Sequence, residues 1–228
     1  GLGTQKNVNT SIAPVANFTL PQKQCISNDI FAQNTTIAGS FGTTSCQHTL
    51  IYKWYYKKPS DINFTLIPST SPWINLTNDL TIPASFVTIP GCWEIKLTAK
   101  NTDFCQTISE MIKTIKIEAI PTPSFTNSPS SPICVGTSIQ FTNTSNIVSL
   151  PCQEPIYLWT VTPVTGTPAT TTGYQFVNPS TSGSSNPLIL FSQPGSYSVV
   201  LSVTNSCGTF MSTPKVIDVF GDPTVSFS

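Results

Sequence analysis

Apolar and polar residues alternate along most of this chain. The clearest run places Tyr197, Val199, Leu201 and Val203 on one side, with Ser198, Val200, Ser202 and Thr204 between them. A period of two sends successive side chains to opposite faces of a half-buried strand. No stretch sustains the 3.6-residue apolar spacing of an amphipathic helix, so the pattern predicts an all-β protein. About a hundred residues earlier the same line is already present. Residues 89–101 and 193–205 each read as a Pro-Gly turn, an aromatic (Trp93 or Tyr197), alternating apolar residues and a closing Asn101 or Asn205.

The repetition extends in both directions. Phe18, Phe125 and Phe227 recur at spacings of 107 and 102. Cys25 then matches Cys134, and Ile30-x-Ala32-x-Asn34-Thr35 matches Ile139-x-Phe141-x-Asn143-Thr144. Tyr52-x-Trp54 corresponds to Tyr157-x-Trp159, and Lys113-x-Ile115-x-Ile117 to Lys215-x-Ile217-x-Val219. A unit of roughly 100 residues built from short alternating strands is the size of one immunoglobulin-like β-sandwich. The expected organisation is therefore a tail or remnant of a preceding repeat at 1–13, sandwiches at 14–120 and 121–222, and the first strand of a third repeat at 223–228. Lys6-x-Val8-x-Thr10 falls where the last strand of a preceding repeat would lie, and the chain reads as a piece of something longer. Prolines at 121 and 123 make the junction short and stiff, unlike a Gly/Ser tether.

Composition narrows what such modules can do. Charged residues are only 9% of the chain, but 39% hydrophobic and 10% aromatic residues suffice for packed cores despite 20 prolines. Arginine is absent, and ten lysines balance ten acids. Without arginine forks or a basic stripe, nucleic acid is not expected as a partner. Lys53, Lys57 and Lys58 surround Trp54, a pattern that fits a solvated edge strand guarded against edge-to-edge pairing better than an anion site.

Seven cysteines in a β-rich, Thr/Ser-rich chain point to an oxidising, extracellular setting. With strands lettered A to G, Cys25 and Cys134 open strand B, and Cys46 and Cys152 lie in the B–C loop. Cys105 and Cys207 close strand F, and Cys92 opens it in the first module, where the second has Ser196. The B–C and F–G loops share one pole of such a sandwich, and the starts of B and F share the other. Since a bridge needs Cα atoms within about 7 Å, the expected disulfides are Cys46–Cys105, Cys152–Cys207 and Cys25–Cys92. Cys134 is left as a free thiol, which accounts for the odd total in a monomer. The rival connectivity, Cys25–Cys105 with Cys134–Cys207, would span the long axis.

No catalytic constellation stands out. His48 is the sole histidine, no Gly-x-Ser-x-Gly elbow or phosphate loop occurs, and Glu94, Asp103, Glu118 and Glu154 are scattered as if to solubilise strands and loops. No catalytic residue, cofactor or metal ligand is expected; Asp218 and Asp222 are the weak candidates for calcium at a junction. Trp54 and Trp159 read as core tryptophans of strand C, and Trp93 and Tyr197 as core residues of strand F. Trp73, with Tyr55 and Tyr56 near it, is the candidate binding surface for a sugar or protein, against the plainer reading that Trp73 packs on a loop. Six Asn-x-Ser/Thr triplets, at Asn9, Asn17, Asn34, Asn63, Asn75 and Asn143, arise readily in so Asn- and Thr-rich a chain.

The segment 134–145 (Cys-Val-Gly-Thr-Ser-Ile-Gln-Phe-Thr-Asn-Thr-Ser), Tyr157-x-Trp159 and the line 193–205 together resemble the PKD (polycystic kidney disease) domain family. More narrowly they are similar to PKD-like repeats of Bacteroidota surface adhesins, including gliding-motility adhesins delivered by the type IX secretion system. The family's Trp-Asp-Phe-Gly-Asp-Gly signature is replaced by Trp54-Tyr-Tyr-Lys-Lys and Trp159-Thr-Val-Thr-Pro. The resemblance implies two PKD-like, Ig-like β-sandwiches at a bacterial cell surface, acting as a semi-rigid, non-catalytic stalk or adhesive segment. Its expected partners are neighbouring repeats and a surface polysaccharide or glycoprotein, with no membrane insertion. The alternatives are carbohydrate- or protein-binding accessory domains of a secreted hydrolase, and a structural part of a surface appendage.

Overall fold

The computed structural model describes residues 11–41, 49–101 and 108–221. They form strands, turns and loops without a helix, and divide into two compact units, 1–117 and 118–228. The remnant expected at the N-terminus falls mostly outside the described residues, and the third-repeat strand at 223–228 wholly so.

The first unit runs through β1 (Ser11–Ile12), β2 (Phe18–Thr19), β3 (Lys23–Cys25), β4 (Ile30–Asn34), β5 (Ser40–Phe41), β6 (Leu50–Lys57), β7 (Thr65–Ile67), β8 (Leu80–Ile82), β9 (Gly91–Asn101) and β10 (Ser109–Glu118). One sheet has the order β3-β10-β9-β6-β7, a second β2-β4-β8, and β1 pairs with β5. The second unit comprises β11 (Phe125–Ser128), β12 (Ile133–Cys134), β13 (Thr137–Asn143), β14 (Ile156–Pro163), β15 (Tyr174–Phe176), β16 (Leu188–Phe191), β17 (Gly195–Asn205), β18 (Gly208–Met211) and β19 (Lys215–Phe220). Its sheets are β12-β19-β17-β14, with β18 also on β17, and β11-β13-β16-β15.

The duplicated lines become the longest strands, β9 and β17, of eleven residues each. Both begin at the glycine of the Pro-Gly turn, which has φ near +130° in each copy. Gly195 is required there, since a Cβ would lie 2.3 Å from the Ala169 nitrogen. In β9 the in-facing row Trp93, Ile95, Leu97 and Ala99 is fully buried, as is Tyr197, Val199, Leu201 and Val203 in β17.

The two cores share a central motif. Phe18 meets Trp54 edge-on at 5.1 Å and 74°, and Phe125 meets Trp159 at 5.0 Å and 73°. Each core indole donates its Nε1–H to a backbone carbonyl at 2.8 Å, of Asn78 in one unit and Ser184 in the other. The matched lysines complete the motif. Lys113 and Lys215 each donate to the carbonyl of the first-strand Phe, Phe18 or Phe125, while their ammonium groups stand 5.2 and 5.0 Å from that residue's ring centroid. Charge-assisted bonding and cation–π attraction thus act on one side chain, tying the last strand to the first across the sandwich.

Two expectations need correction. Cys25 and Cys134 do not open strand B. The first strand is split in both units: β2 and β11 pair with strand B (β4 and β13), whereas β3 and β12 lie beside the last strand, β10 or β19. Pro21 in one unit and Pro129 and Pro132 in the other lie in the gap, where a residue without N–H cannot continue a ladder. Both cysteines belong to the second, crossed-over half. The lysine-flanked strand β6 is also not an edge, because it lies between β9 and β7. Its lysines decorate a sheet face rather than guard an unpaired strand.

Candidate interaction surface

Strand register places the polar residues of β6, β9 and β10 on the outer face of the first unit. Across β6 and β9, Ile51 pairs with Lys100, Lys53 with Thr98, Tyr55 with Lys96 and Lys57 with Glu94. From β9 to β10, Thr98 pairs with Glu110 and Lys96 with Ile112. Because their neighbours in sequence form the buried row, all these side chains share the opposite face. On this face Lys53, Lys96, Lys100, Tyr55, Glu110 and Ile108 wall an open groove of about 400 Å³.

Three lysines against one carboxylate make this groove positive, and two of its details fix the charge in place. The Lys96 ammonium stands between two rings, 4.5 Å from the Tyr55 centroid and 4.6 Å from that of Phe64. Next to the groove, Lys57 is ion-paired with Glu94, leaving that carboxylate less able to neutralise Lys96. A partly exposed pair of this kind contributes at most about 1 kcal/mol to stability, so the arrangement shapes the field of the face more than it holds the fold.

The proposed aromatic surface separates into two sites. Tyr55 faces the groove, whereas Tyr56, its neighbour on the strand, points to the other side. There Tyr56 joins Trp73, Phe86 and the buried Trp93, with centroid separations of 4.8 to 6.4 Å. Lys58 caps the cluster, its ammonium 4.0 Å from the Phe86 centroid. Trp73 packs against the core, half-buried, and hydrogen-bonds through its backbone with Thr81 and Ser71. The cluster is a satisfied plug at the edge of the sandwich, so Tyr55 alone of the three faces the groove.

Lys96, Lys100, Glu110 and Phe64 were not singled out from the sequence. The signal was present in the repeat itself. In the second unit the residues corresponding to Lys53, Tyr55, Lys96 and Lys100 are Leu158, Thr160, Val200 and Thr204, so the first unit is charged where its copy is not. On the second unit's outer face Leu158 and Met211 are 51% and 69% exposed, in one row with Ser202 between them.

Cys25, Cys92, Cys152 and Cys207 are disulfide-bonded, and Cys134 is a free, exposed thiol. The rival bond from Cys134 to Cys207 is therefore not formed. Cys46, Cys105, His48, Asp103 and Asp222 lie outside the described residues. Where β9 carries Cys92, Ser196 of β17 donates to Asp218 Oδ1 at 2.6 Å. Glu118, expected to be a solubilising acid, is instead fully buried. Its carboxylate accepts from the Ser206 nitrogen at 2.7 Å and the Glu154 nitrogen at 3.3 Å, drawing together the loops that carry Cys207 and Cys152. The segment after it is also fastened: the Ala119 nitrogen donates to Gln153, and the Ile120 carbonyl accepts from Asn146.

Among the described residues no group of three or more His, Cys, Asp or Glu could hold a metal ion. No helix there is long and apolar enough to cross a membrane.

No protein-family model matches the chain, and no curated protein matches it. Solved structures do. A marsupial T cell receptor is 10% identical with a TM-score of 0.54, over 94% of this chain and 76% of that one. Sidekick-1 immunoglobulin domains 1–4 are 16% identical with a TM-score of 0.49, over 94% of this chain. The chain spans about half the length of that Sidekick-1 structure, 51%. The three N-terminal domains of the bacteriophage RB49 Highly Immunogenic Outer Capsid protein are 16% identical with a TM-score of 0.43. The likeness to the T cell receptor concerns fold, and together with the sheet order it identifies the chain as two Ig-like β-sandwiches in tandem.

Proposed function

We propose that this chain is a non-catalytic repeat segment of an extracellular surface protein, serving as stalk and adhesive element. The observation that carries the reading is duplication of the core with divergence of the outer face. Two copies keep the same Phe–Trp–Lys motif, while only one carries a charged groove, as expected where modules are multiplied for reach and individually altered for contact. The disulfide-bonded cysteines fit an oxidising compartment outside the cytosol. Bridges Cys25–Cys92 and Cys152–Cys207 belong to the same proposal, supported by the meeting of the second pair's loops at Glu118. The PKD-like resemblance supports a bacterial surface adhesin as the parent protein. The prolines at 121 and 123 support a semi-rigid stalk.

Antibodies against the two-module chain test the location. Labelling of intact source cells, removed by brief external protease, is the expected result. Labelling that appears only after permeabilisation overturns the proposal. The accessory-domain reading predicts a catalytic domain in the same open reading frame, which sequencing of the full gene decides.

A further inference from the structure

We infer that the outer face of the first module binds an acidic polysaccharide, through Lys53, Lys96 and Lys100 with Tyr55 as its aromatic floor. The inference deepens the adhesive reading and rests on it, but its evidence is the groove itself. Three ammonium groups and one carboxylate line a space of about 400 Å³ on an open sheet face. Such a cluster on a chain with no net charge is a local feature, not the overflow of a basic protein.

Spacing argues for a polymer. Lys96 and Lys100 lie four residues apart on one strand, about 13 Å at the usual rise per residue. No single carboxylate or sulfate reaches both, whereas a chain carrying recurrent charges does. The groove's chemistry argues for a glycan over nucleic acid. Without arginine, no planar fork is available for phosphate or base edges, and lysine offers point charges that suit isolated carboxylates among hydroxyls. Thr98 and Glu110 add a hydroxyl and an acceptor for sugar hydroxyls, and Tyr55 supplies a ring face for the apolar side of a sugar. Lys96, held between Tyr55 and Phe64, loses less freedom on binding than an unrestrained lysine. The second module, with Leu158, Val200 and Thr204 in place of these lysines, lacks the site.

The test uses the whole two-module protein, with immobilised polygalacturonate as the acidic glycan, dextran as the neutral one and polyglutamate as an acidic chain without sugar. Binding to polygalacturonate, weakening as salt is raised, and none to dextran is the expected result. The triple variant Lys53→Ala, Lys96→Ala, Lys100→Ala should weaken it about tenfold or more, each exposed charge contributing a modest share. Lys23→Ala, on an exposed lysine away from the groove, should leave it unchanged. Lys53→Glu, a single exposed change, serves should the triple variant unfold, and should also abolish most binding. Three results overturn the inference: no binding to polygalacturonate, equal binding by the charge-altered variants, or polyglutamate bound as tightly as polygalacturonate. External labelling of cells that persists beside any of these leaves the surface-repeat proposal standing and removes only the glycan site.

Discussion

The two modules share a core and differ on one face. Phe18, Trp54 and Lys113 reappear as Phe125, Trp159 and Lys215 with ring geometries that agree within 0.1 Å and 1° for the Phe–Trp pair. On the outer sheet, however, Lys53, Lys96 and Lys100 stand where the copy has Leu158, Val200 and Thr204. Interior positions are constrained by packing at crystal-like density, so a repeat that drifts there loses its fold. Positions on the solvated face pay no such penalty, and there a duplicated module is free to gain contacts. The comparison therefore separates what makes the sandwich from what an individual sandwich does.

The largest expected effect tests the shared half of that comparison. Trp54→Ala and Trp159→Ala each remove a core indole and its hydrogen bond to a loop carbonyl, and should each cost about 3 to 5 kcal/mol in their own module. Denaturant unfolding followed by far-UV circular dichroism, which does not depend on the indole removed, should show one destabilised transition in each variant, with costs similar in size. A negligible loss in either would mean that the matching contacts do not carry matching energies.

Next in size is the pole where the modules part. The first has disulfide-bonded Cys25 and Cys92; the second has free Cys134 and the Ser196–Asp218 hydrogen bond. Ser196→Cys should form a bridge with Cys134, abolish the free thiol and stabilise the second module by about 4 kcal/mol on the loop-closure scale. Thiol titration and the denaturation midpoint read both consequences. A thiol count that rises instead of falling would break the proposed correspondence of Cys25–Cys92 with this pair.

The lysine that ties last strand to first should matter less, and equally in both copies. Lys113→Met and Lys215→Met keep the aliphatic stem but remove the charged donor to the Phe18 or Phe125 carbonyl. Each should cost about 1.5 to 3 kcal/mol, the usual range for a bond to a charged group. Unequal losses would show that burial around the motif differs more than its geometry suggests.

Sequence alone revealed the duplication, the strand alternation and the buried Trp54, Trp159, Trp93 and Tyr197, because period-two burial and repeated anchors are local and self-checking. It did not reveal that the first strand changes sheets, since Cys25 and Cys134 precede strand B in sequence whichever sheet they join. Nor did it place β6 inside its sheet: β7 is three residues long, and nothing in Thr65–Ile67 announces the strand that covers β6. The groove was missed for a related reason. Its lysines come from different strands, Lys53 on β6 and Lys96 and Lys100 on β9, and only register brings them together. Tyr55 and Tyr56 were grouped by adjacency, although neighbouring residues in a strand face opposite ways.

The smallest expected difference lies in how the modules respond to acid. The backbone N–H of Asn34 donates to Asp79 Oδ1 at 2.8 Å, and that of Asn143 donates to the neutral Asn186 Oδ1 at 2.7 Å. Burial pushes the Asp79 carboxyl up, but hydrogen bonds from Thr77 Oγ1, the Asn34 nitrogen and Asn75 Nδ2 outweigh it and hold the group below the usual carboxylate range. A depressed folded value means that the unfolded chain takes up the proton first on acidification. The stabilisation from Asp79 is thus fully present above the ordinary carboxylate value and is lost as pH falls through the lower, folded one. Over that acidic window the first module's unfolding midpoint should decline through a term that Asp79→Asn removes, because asparagine, like Asn186, has no proton to gain. The second module should show no contribution from Asn186 over the same range. A wild-type and Asp79→Asn pair with parallel pH profiles would show that the carboxylate and the amide serve the two copies alike.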